Sequence, residues 1–461
     1  MAGTVWMRAP CAMLASRTWP WGVRALTGSQ AAWSRSARDE SSAGAIRLGT
    51  SRISGDEAGV RGRRVVWDSD ASARPVVLAF TACYLPGYKG GGPIRSVANI
   101  VDRLGDEFSF CVFTGDRDHG DDSPYAGITL DRWVSVGKAQ VFYASRRGRS
   151  PGGLLRLLHR TSYDVLYFNS FFNARFTLLP LLLRRLRLID PKPALLAPRG
   201  ELDAGALALK PVKKQIFLTV ARWFGLYSGV IWQASSDLEA GRIIQVMGAP
   251  PNGVVVAPNL PGLSAPGVAR EQCRPDGHLV VSFLSRISRK KNLDFALRAL
   301  AEVQAPVVFR IYGTAEDEAY WSECERLIAS LPEHVQVGYL GDVTHDQVHA
   351  VLSATDLFFL PTRGENYGHV ILEALSAGVP VLISDQTPWA DLLERGAGWT
   401  LPLVSASAFA AVIDEYAGYS PEKREAMSQR ARVYADEVIS ADETLQSNVA
   451  LFRHALGMPE D

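Results

Sequence analysis

Short apolar runs separated by longer stretches of helical periodicity recur along most of this chain. Runs at 76–82, 108–114, 140–144, 165–168, 194–197 and 230–233 have the length and composition of buried strands, as do those at 279–284, 307–312, 335–340, 357–360 and 379–383. Between them apolar residues return every three or four positions, as in Ile94, Val97, Ile100, Val101 and Leu104, or Leu293, Ala296, Leu297 and Leu300. Strands alternating with helices predict parallel sheets covered on both faces, an α/β architecture. The stretch 258–277 is rich in Pro, Gly and polar residues and separates two such series, so it reads as a linker. The predicted organisation is an extension over 1–72, a first domain over 73–257, the linker 258–277, a second domain over 278–437, and a terminal helix within 438–461.

Ligands of open parallel sheets collect beyond the carboxyl ends of the strands, so the polar residues there are the candidates. After the strand at 279–284 come Arg286, Arg289, Lys290 and Lys291, four cations that repel one another unless an anion joins them. After the strand at 357–360 a polar loop carries Glu365, Asn366, Tyr367, Gly368 and His369 into a helix whose one carboxylate is Glu373. His369 and Glu373 share a helix face, and a carboxylate in an otherwise apolar helix calls for a polar partner. The first N–H groups of such a helix have no internal acceptor and suit a phosphate. Gly313 ends another strand of this series.

In the first domain, Gly90, Gly91 and Gly92 lie between a strand and a helix opened by Pro93, where absent side chains let backbone approach a ligand. The dinucleotide-fold glycine spacing is missing, so the run is also read as a flexible turn. Arg95, Asn169, Arg199 and Glu201 are candidate acceptor contacts, with ordinary salt-bridge roles as the plain alternative. Asp116 and Asp118 follow a strand and form an Asp-x-Asp pattern that can hold a divalent cation, or equally a solvated loop.

The spacing Glu365-x7-Glu373, continued by the run SDQTPW at 384–389, closely resembles the signature of family-4 retaining glycosyltransferases, and YFNSFFN and APRGELDAGAL resemble one branch of that family. The resemblance covers about 75–454. It implies the GT-B fold, two facing Rossmann-like domains with a cleft between them, and transfer of a sugar from a nucleotide-sugar with retained configuration. It implies that Glu365 meets the donor sugar, Glu373 the ribose, Arg286 and Lys291 the diphosphate, and Gly91 and Gly92 the donor phosphates. No cofactor or obligatory metal is implied, and the acceptor class is a glycan or glycolipid, as in surface polysaccharide assembly. One departure stands out: many members carry a His in the first domain near the donor sugar, whereas this chain has no His between His159 and His278. Two other readings are kept beside this one, a non-catalytic nucleotide-sugar-binding scaffold and a metal-dependent transferase using Asp116 and Asp118.

Composition narrows the classes further. With 49 basic and 48 acidic residues in 461 the net charge is +1, which excludes a general nucleic-acid binder of the basic kind. Five cysteines at scattered positions form neither a zinc spacing nor a disulfide framework. Residues 1–72 begin with arginines among Ser, Ala and Trp and read as a disordered tail, an upstream stretch wrongly translated, or a transit peptide. The apolar stretches 176–188 and 216–232 are too short or too interrupted by arginine to span a bilayer. Core helices with basic outer faces are the favoured reading of both, with peripheral contact at the inner face of a membrane as the other; the expected location is cytoplasmic.

Overall fold

The computed structural model describes residues 74–208, 211–262 and 277–459. The extension 1–72 and most of the linker 258–277 lie outside the described residues. Two sheets are formed. The first has eight strands: β1 (Val76–Phe80), β2 (Ser109–Gly115), β3 (Trp133–Val136), β4 (Ala139–Ala144), β5 (Val165–Phe168), β6 (Ala194–Leu196), β7 (Val230–Ala234) and β8 (Val254–Val256). Their spatial order is β3-β4-β2-β1-β5-β6-β7-β8, parallel except for the β3–β4 hairpin. The second has six parallel strands, β9 (Leu279–Leu284), β10 (Val307–Tyr312), β11 (Val335–Tyr339), β12 (Leu357–Leu360), β13 (Val381–Ser384) and β14 (Gly398–Leu401), in the order β11-β10-β9-β12-β13-β14.

Three strands were not anticipated from the sequence, β3, β8 and β14, and all three are sheet edges. An edge strand is half covered, so its sequence lacks the continuous apolar run that marks a central strand such as β9, every residue of which is buried. The core of the first domain divides into layers on the two faces of its sheet. One layer includes Val449, Leu451 and Phe452 from the last helix, Asp442–Leu456, so the chain's end is part of the first domain's core. The Phe452 ring lies 5.4 Å from Phe108 and 5.5 Å from Tyr167, and Asn448 donates to the Pro258 carbonyl at 2.8 Å. Residues about 190 apart in sequence are thus bonded across the junction between the domains.

One expectation is corrected. The helix Pro211–Trp223 buries Leu218 and Ala221 but turns Val212, Ile216, Val220 and Trp223 outward, so much of its apolar surface is not core.

Each sheet has a switch point where strand order reverses, between β1 and β5 in the first and between β9 and β12 in the second. Loops leaving the two flanking strands run in opposite directions there and open a crevice. The glycine loop follows β1, the Asn169 turn follows β5, the cationic loop follows β9, and the Glu365 loop follows β12. Direct bonds join the facing domains: Ser96 Oγ to His369 Nε2 at 3.2 Å, and Tyr88 hydroxyl to Asp342 Oδ2 at 2.6 Å.

Candidate active site

The β9 and β12 loops are stitched together by Asn292. It adopts the left-handed conformation (φ 64°), which asparagine tolerates better than most residues, and it is 2% exposed. Its amide donates to the Pro361 carbonyl at 2.9 Å and accepts from Arg363 Nε at 2.9 Å. This clamp sets Lys291 against Glu365, and their side chains, 15% and 14% exposed, form an ion pair. The four cations of the β9 loop part company. Arg289 leaves toward Glu323, at 3.1 Å, and over the Tyr320 ring, whereas Arg286 is held only loosely by Glu316, at 3.6 Å.

Gly313, a candidate because it ends a strand on this face, is tightly packed there. A Cβ there would sit 1.9 Å from the Ser285 carbonyl oxygen, and its φ is +134°. It lets the β10 loop pass against the backbone that carries Arg286, so it shapes the site through packing.

The helix His369–Ser376 begins at Gly368, itself left-handed (φ 79°), with no side-chain cap. Its first N–H groups, ahead of the Ile371 N–H that closes on Gly368 O, are free of intrahelical acceptors. Trp389 props this corner by donating its indole N–H to the Tyr367 carbonyl at 2.6 Å. One turn along, Glu373 is recessed at the cleft floor, 28% exposed, with His345 Nδ1 at 3.9 Å. Burial pushes its carboxyl up to about 7, opposed by the Arg95 guanidinium from the other domain. Burial and the same Arg95 charge push His345 down to about 4. His369 is pushed down to about 3 by burial, Arg95 and Arg199. The cleft thus carries protein cations on both walls and neutral histidines between them, a field that favours an anionic ligand.

From the first domain, Gly91 (φ 65°) has open space where a side chain would be, and a Cβ on Gly92 would lie 3.8 Å from the His369 ring. The glycine loop is shaped by Asp118, which accepts from the N–H groups of Tyr88 (2.6 Å), Lys89 (2.9 Å), Gly90 (3.3 Å) and His119 (2.8 Å). Asp116 is paired with Arg117 and Arg149, each at 2.9 Å. The two aspartates are 2% and 5% exposed, so the carboxylates read as metal-holding candidates are occupied by protein donors and face inward. This corrects the Asp-x-Asp alternative.

Of the candidate acceptor contacts, Arg95 keeps a buried Nε with no hydrogen-bond partner. The other three are bound within the first domain. Asn169 donates to the Pro93 carbonyl and accepts from Arg199 Nε at 2.8 Å. Arg199 also donates to Asn259 and to the Tyr167 hydroxyl. Glu201 accepts from Ser170 Oγ (2.7 Å) and from the N–H groups of Phe171 (3.0 Å) and Phe172 (2.7 Å), fixing the turn after β5.

Glu239 lies in the polar run 235–239 that follows a strand, a strand end where an acceptor was expected, but it was not singled out as a site residue. It is 4% exposed, and its carboxylate accepts from Gly200 N (2.7 Å), Ser235 N (2.8 Å), Ser235 Oγ (2.6 Å) and, across the cleft, Asn366 Nδ2 (3.1 Å). The sequence signal was its place at the carboxyl end of a strand. A separate cavity of about 560 Å³, lined by Leu279, Gln304, Asp414 and Arg424, lies at the amino ends of β9 and β10, away from all these loops.

Comparison with known proteins agrees with this architecture. Residues 269–434 match the family model described as Glycosyl transferases group 1. Similar sequences include an alpha-D-kanosaminyltransferase of Streptomyces kanamyceticus, 26% identical over 35% of this chain and 42% of that protein. A D-inositol 3-phosphate glycosyltransferase of Mycobacterium leprae is 28% identical over 48% of this chain and 54% of that protein. The chain thus matches about half the length of these relatives or less. Similar solved structures include Anabaena HepE in complex with UDP-glucose (TM-score 0.60, 18% identity, 82% of this chain and 99% of that one). Sucrose-phosphate synthase from Thermosynechococcus elongatus is another (TM-score 0.62, 15% identity, 83% and 99%). The fold is GT-B, two parallel-sheet domains facing across a cleft.

Proposed function

We propose that this chain is a retaining glycosyltransferase that binds a nucleoside diphosphate sugar in the cleft and passes the sugar to a glycan or lipid-linked acceptor. The observation that carries the proposal is the set of groups gathered at the second switch point. Lys291 and Arg286 lie on one side, Glu365 and the uncapped start of the helix at His369 on the other, with Glu373 one turn deeper.

In this reading the donor diphosphate lies against Lys291, Arg286 and the free N–H groups of that helix. Charge developing on the leaving diphosphate meets fixed cations and dipoles in a site that excludes water. Lys291 exchanges its Glu365 partner for the phosphate, which frees Glu365 for the sugar hydroxyls. Glu373 accepts from the ribose hydroxyls, donors that favour the carboxylate whose charge burial in the cleft floor otherwise disfavours. Closure across Ser96–His369 and Glu239–Asn366 assembles the two walls around the donor and keeps water from hydrolysing it. Acceptor attack takes place on the face from which the diphosphate leaves, as the family resemblance implies. The location of the work is the cytoplasmic side, and surface polysaccharide assembly is the setting that relatives such as the Rhizobium meliloti lipopolysaccharide core mannosyltransferase and the O-antigen chain mannosyltransferase B of Escherichia coli suggest.

The test is transfer and donor hydrolysis with UDP-, GDP- and ADP-sugars, with and without EDTA, beside Lys291→Ala and Glu373→Ala. Turnover of one donor that survives EDTA and falls at least a hundredfold in Lys291→Ala is expected, since removing one charge-stabilising donor has that order of effect. Donor binding without turnover across all acceptors would instead favour the scaffold reading.

A further inference from the structure

A joint between the two domains is built around Asn366. The turn that carries it is held on both flanks from within the second domain: the Glu365 N–H donates to the Gln386 carbonyl at 2.9 Å, and the Tyr367 carbonyl accepts from the Trp389 indole at 2.6 Å. Asn366 itself has no such tie. Among the described residues its one hydrogen bond, backbone or side chain, runs from Nδ2 across the cleft to Glu239 Oε1 at 3.1 Å. The residue next to Glu365 is therefore placed by the other domain.

The first domain presents Glu239 in a fixed pose. Ser236 caps the helix Asp237–Met247, its hydroxyl accepting from the Glu239 N–H at 3.3 Å, and the Glu239 side chain turns back to the end of β7. There Oε2 takes the Ser235 N–H and hydroxyl, while Oε1 is shared between the Gly200 N–H at 2.7 Å and Asn366. Gly200 is delivered by two consecutive left-handed residues beyond β6, Arg199 (φ 55°) and Gly200 itself (φ 75°). It also leaves room, since a Cβ there would stand 2.3 Å from Asn366 Oδ1. Glu239 and Gly200 thus form a socket that Asn366 enters with one bond and no spare space. A carboxylate 4% exposed and bonded by these donors cannot follow Asn366 when the domains part, so the bond belongs to the closed arrangement.

We infer that Glu239 is a positioning residue for sugar transfer: through Asn366 it sets the Glu365 loop in its working geometry as the domains close. It thereby links the acceptor wall at Gly200 and Ser235 to the carboxylate that meets the donor sugar. The inference rests on the donor reading proposed above. Its consequence is a division of labour. The diphosphate is held by Lys291, Arg286 and the helix start of the second domain alone, whereas the sugar is aligned once the socket has taken Asn366. A misplacement of about 1 Å costs on the order of a hundredfold in rate, so loss of Glu239 shows in kcat rather than in donor affinity.

The experiment uses the full chain and three readouts: Kd and kcat for whichever UDP-, GDP- or ADP-sugar is turned over, and amide hydrogen exchange over 363–368 in the empty protein. Glu239→Asp keeps the charge but withdraws it from Asn366, and Gly200→Ala displaces Asn366 without touching the carboxylate. Asn366→Ala and the double variant Glu239→Asp with Asn366→Ala complete the set. A fall in kcat of roughly ten- to a hundredfold is expected in each single variant, with faster exchange at the Glu365 amide. Donor Kd should stay within about twofold in the two first-domain variants, and the double variant should lose nothing further, because both side chains act through one bond. A double-variant loss equal to the product of the single losses would overturn the inference. So would a loss confined to donor Kd, or a lowered Tm with kcat at the wild-type level, which would leave Glu239 a purely structural residue. If the wild type turns over no donor, the reading of the cleft fails instead, and exchange alone decides: faster exchange in Glu239→Asp and Gly200→Ala upholds the joint, and unchanged exchange refutes it.

Discussion

Glu373→Gln should make the empty protein more stable while removing its function. The Glu373 carboxyl is raised from 4.5 to about 7 because the cleft floor desolvates its charge more than Arg95 compensates. A folded-state pKa above the unfolded value means that the native protein holds a proton which the unfolded chain has already released. Stability is then fully present below pH 4.5, declines as pH rises, and has lost its full share above pH 7. A rise of this size corresponds to about 3 kcal/mol at pH 8, an upper bound because the carboxylate keeps some contact with water. Glutamine has the same shape and no charge, so it escapes that cost. For a domain of this size the gain amounts to roughly 6–10 °C in Tm at pH 8 and close to nothing at pH 4.5. Scanning calorimetry of both proteins at the two pH values tests this, with nucleotide-sugar binding by titration calorimetry run in parallel. An equal Tm difference at both pH values, or a variant less stable at pH 8, would show that Glu373 is not held in a desolvated site. Weaker donor binding by the more stable variant would place it among residues kept for function at the expense of stability.

Other outcomes follow from the same geometry. Gly313→Ala forces a Cβ into the Ser285 carbonyl at a φ of +134°; a loss of about 3 kcal/mol in denaturant titration is expected, with weaker donor affinity because Ser285 precedes Arg286. Asp118→Asn removes the charge from bonds to the Tyr88, Lys89 and Gly90 amides; a cost of about 1–3 kcal/mol is expected, read as faster amide exchange in the glycine loop. His345 and His369 are held neutral down to about 4 and about 3. Their folded values are depressed below 6.5, so the unfolded chain takes up protons first and stability falls as pH drops below about 6.5. His369→Gln should flatten the fall in Tm between pH 6.5 and 4, and an unchanged slope would count against a buried neutral imidazole there.

The amino-acid sequence by itself determined the local pieces. Strands such as β9 and β12 were legible because a central parallel strand is covered on both faces and must be apolar throughout. The cations after β9 and the glutamates after β12 were legible because charges beside such strands stand out, and the family resemblance then assigned them roles. β3, β8 and β14 were not legible, since edge strands need only half of that cover. The tertiary structure alone decided which distant groups meet. Ser96 and His369 are 273 residues apart, and Glu239 and Asn366 are 127 apart; no local pattern encodes such a pair, because each partner satisfies its own helix or turn without it. The raised Glu373 proton affinity likewise depends on how far the cleft floor excludes water and on how far Arg95 from the other domain offsets that burial. The helix Pro211–Trp223 shows the converse: its apolar run was visible, but whether that run faced the core or solvent depended on what the rest of the fold left uncovered.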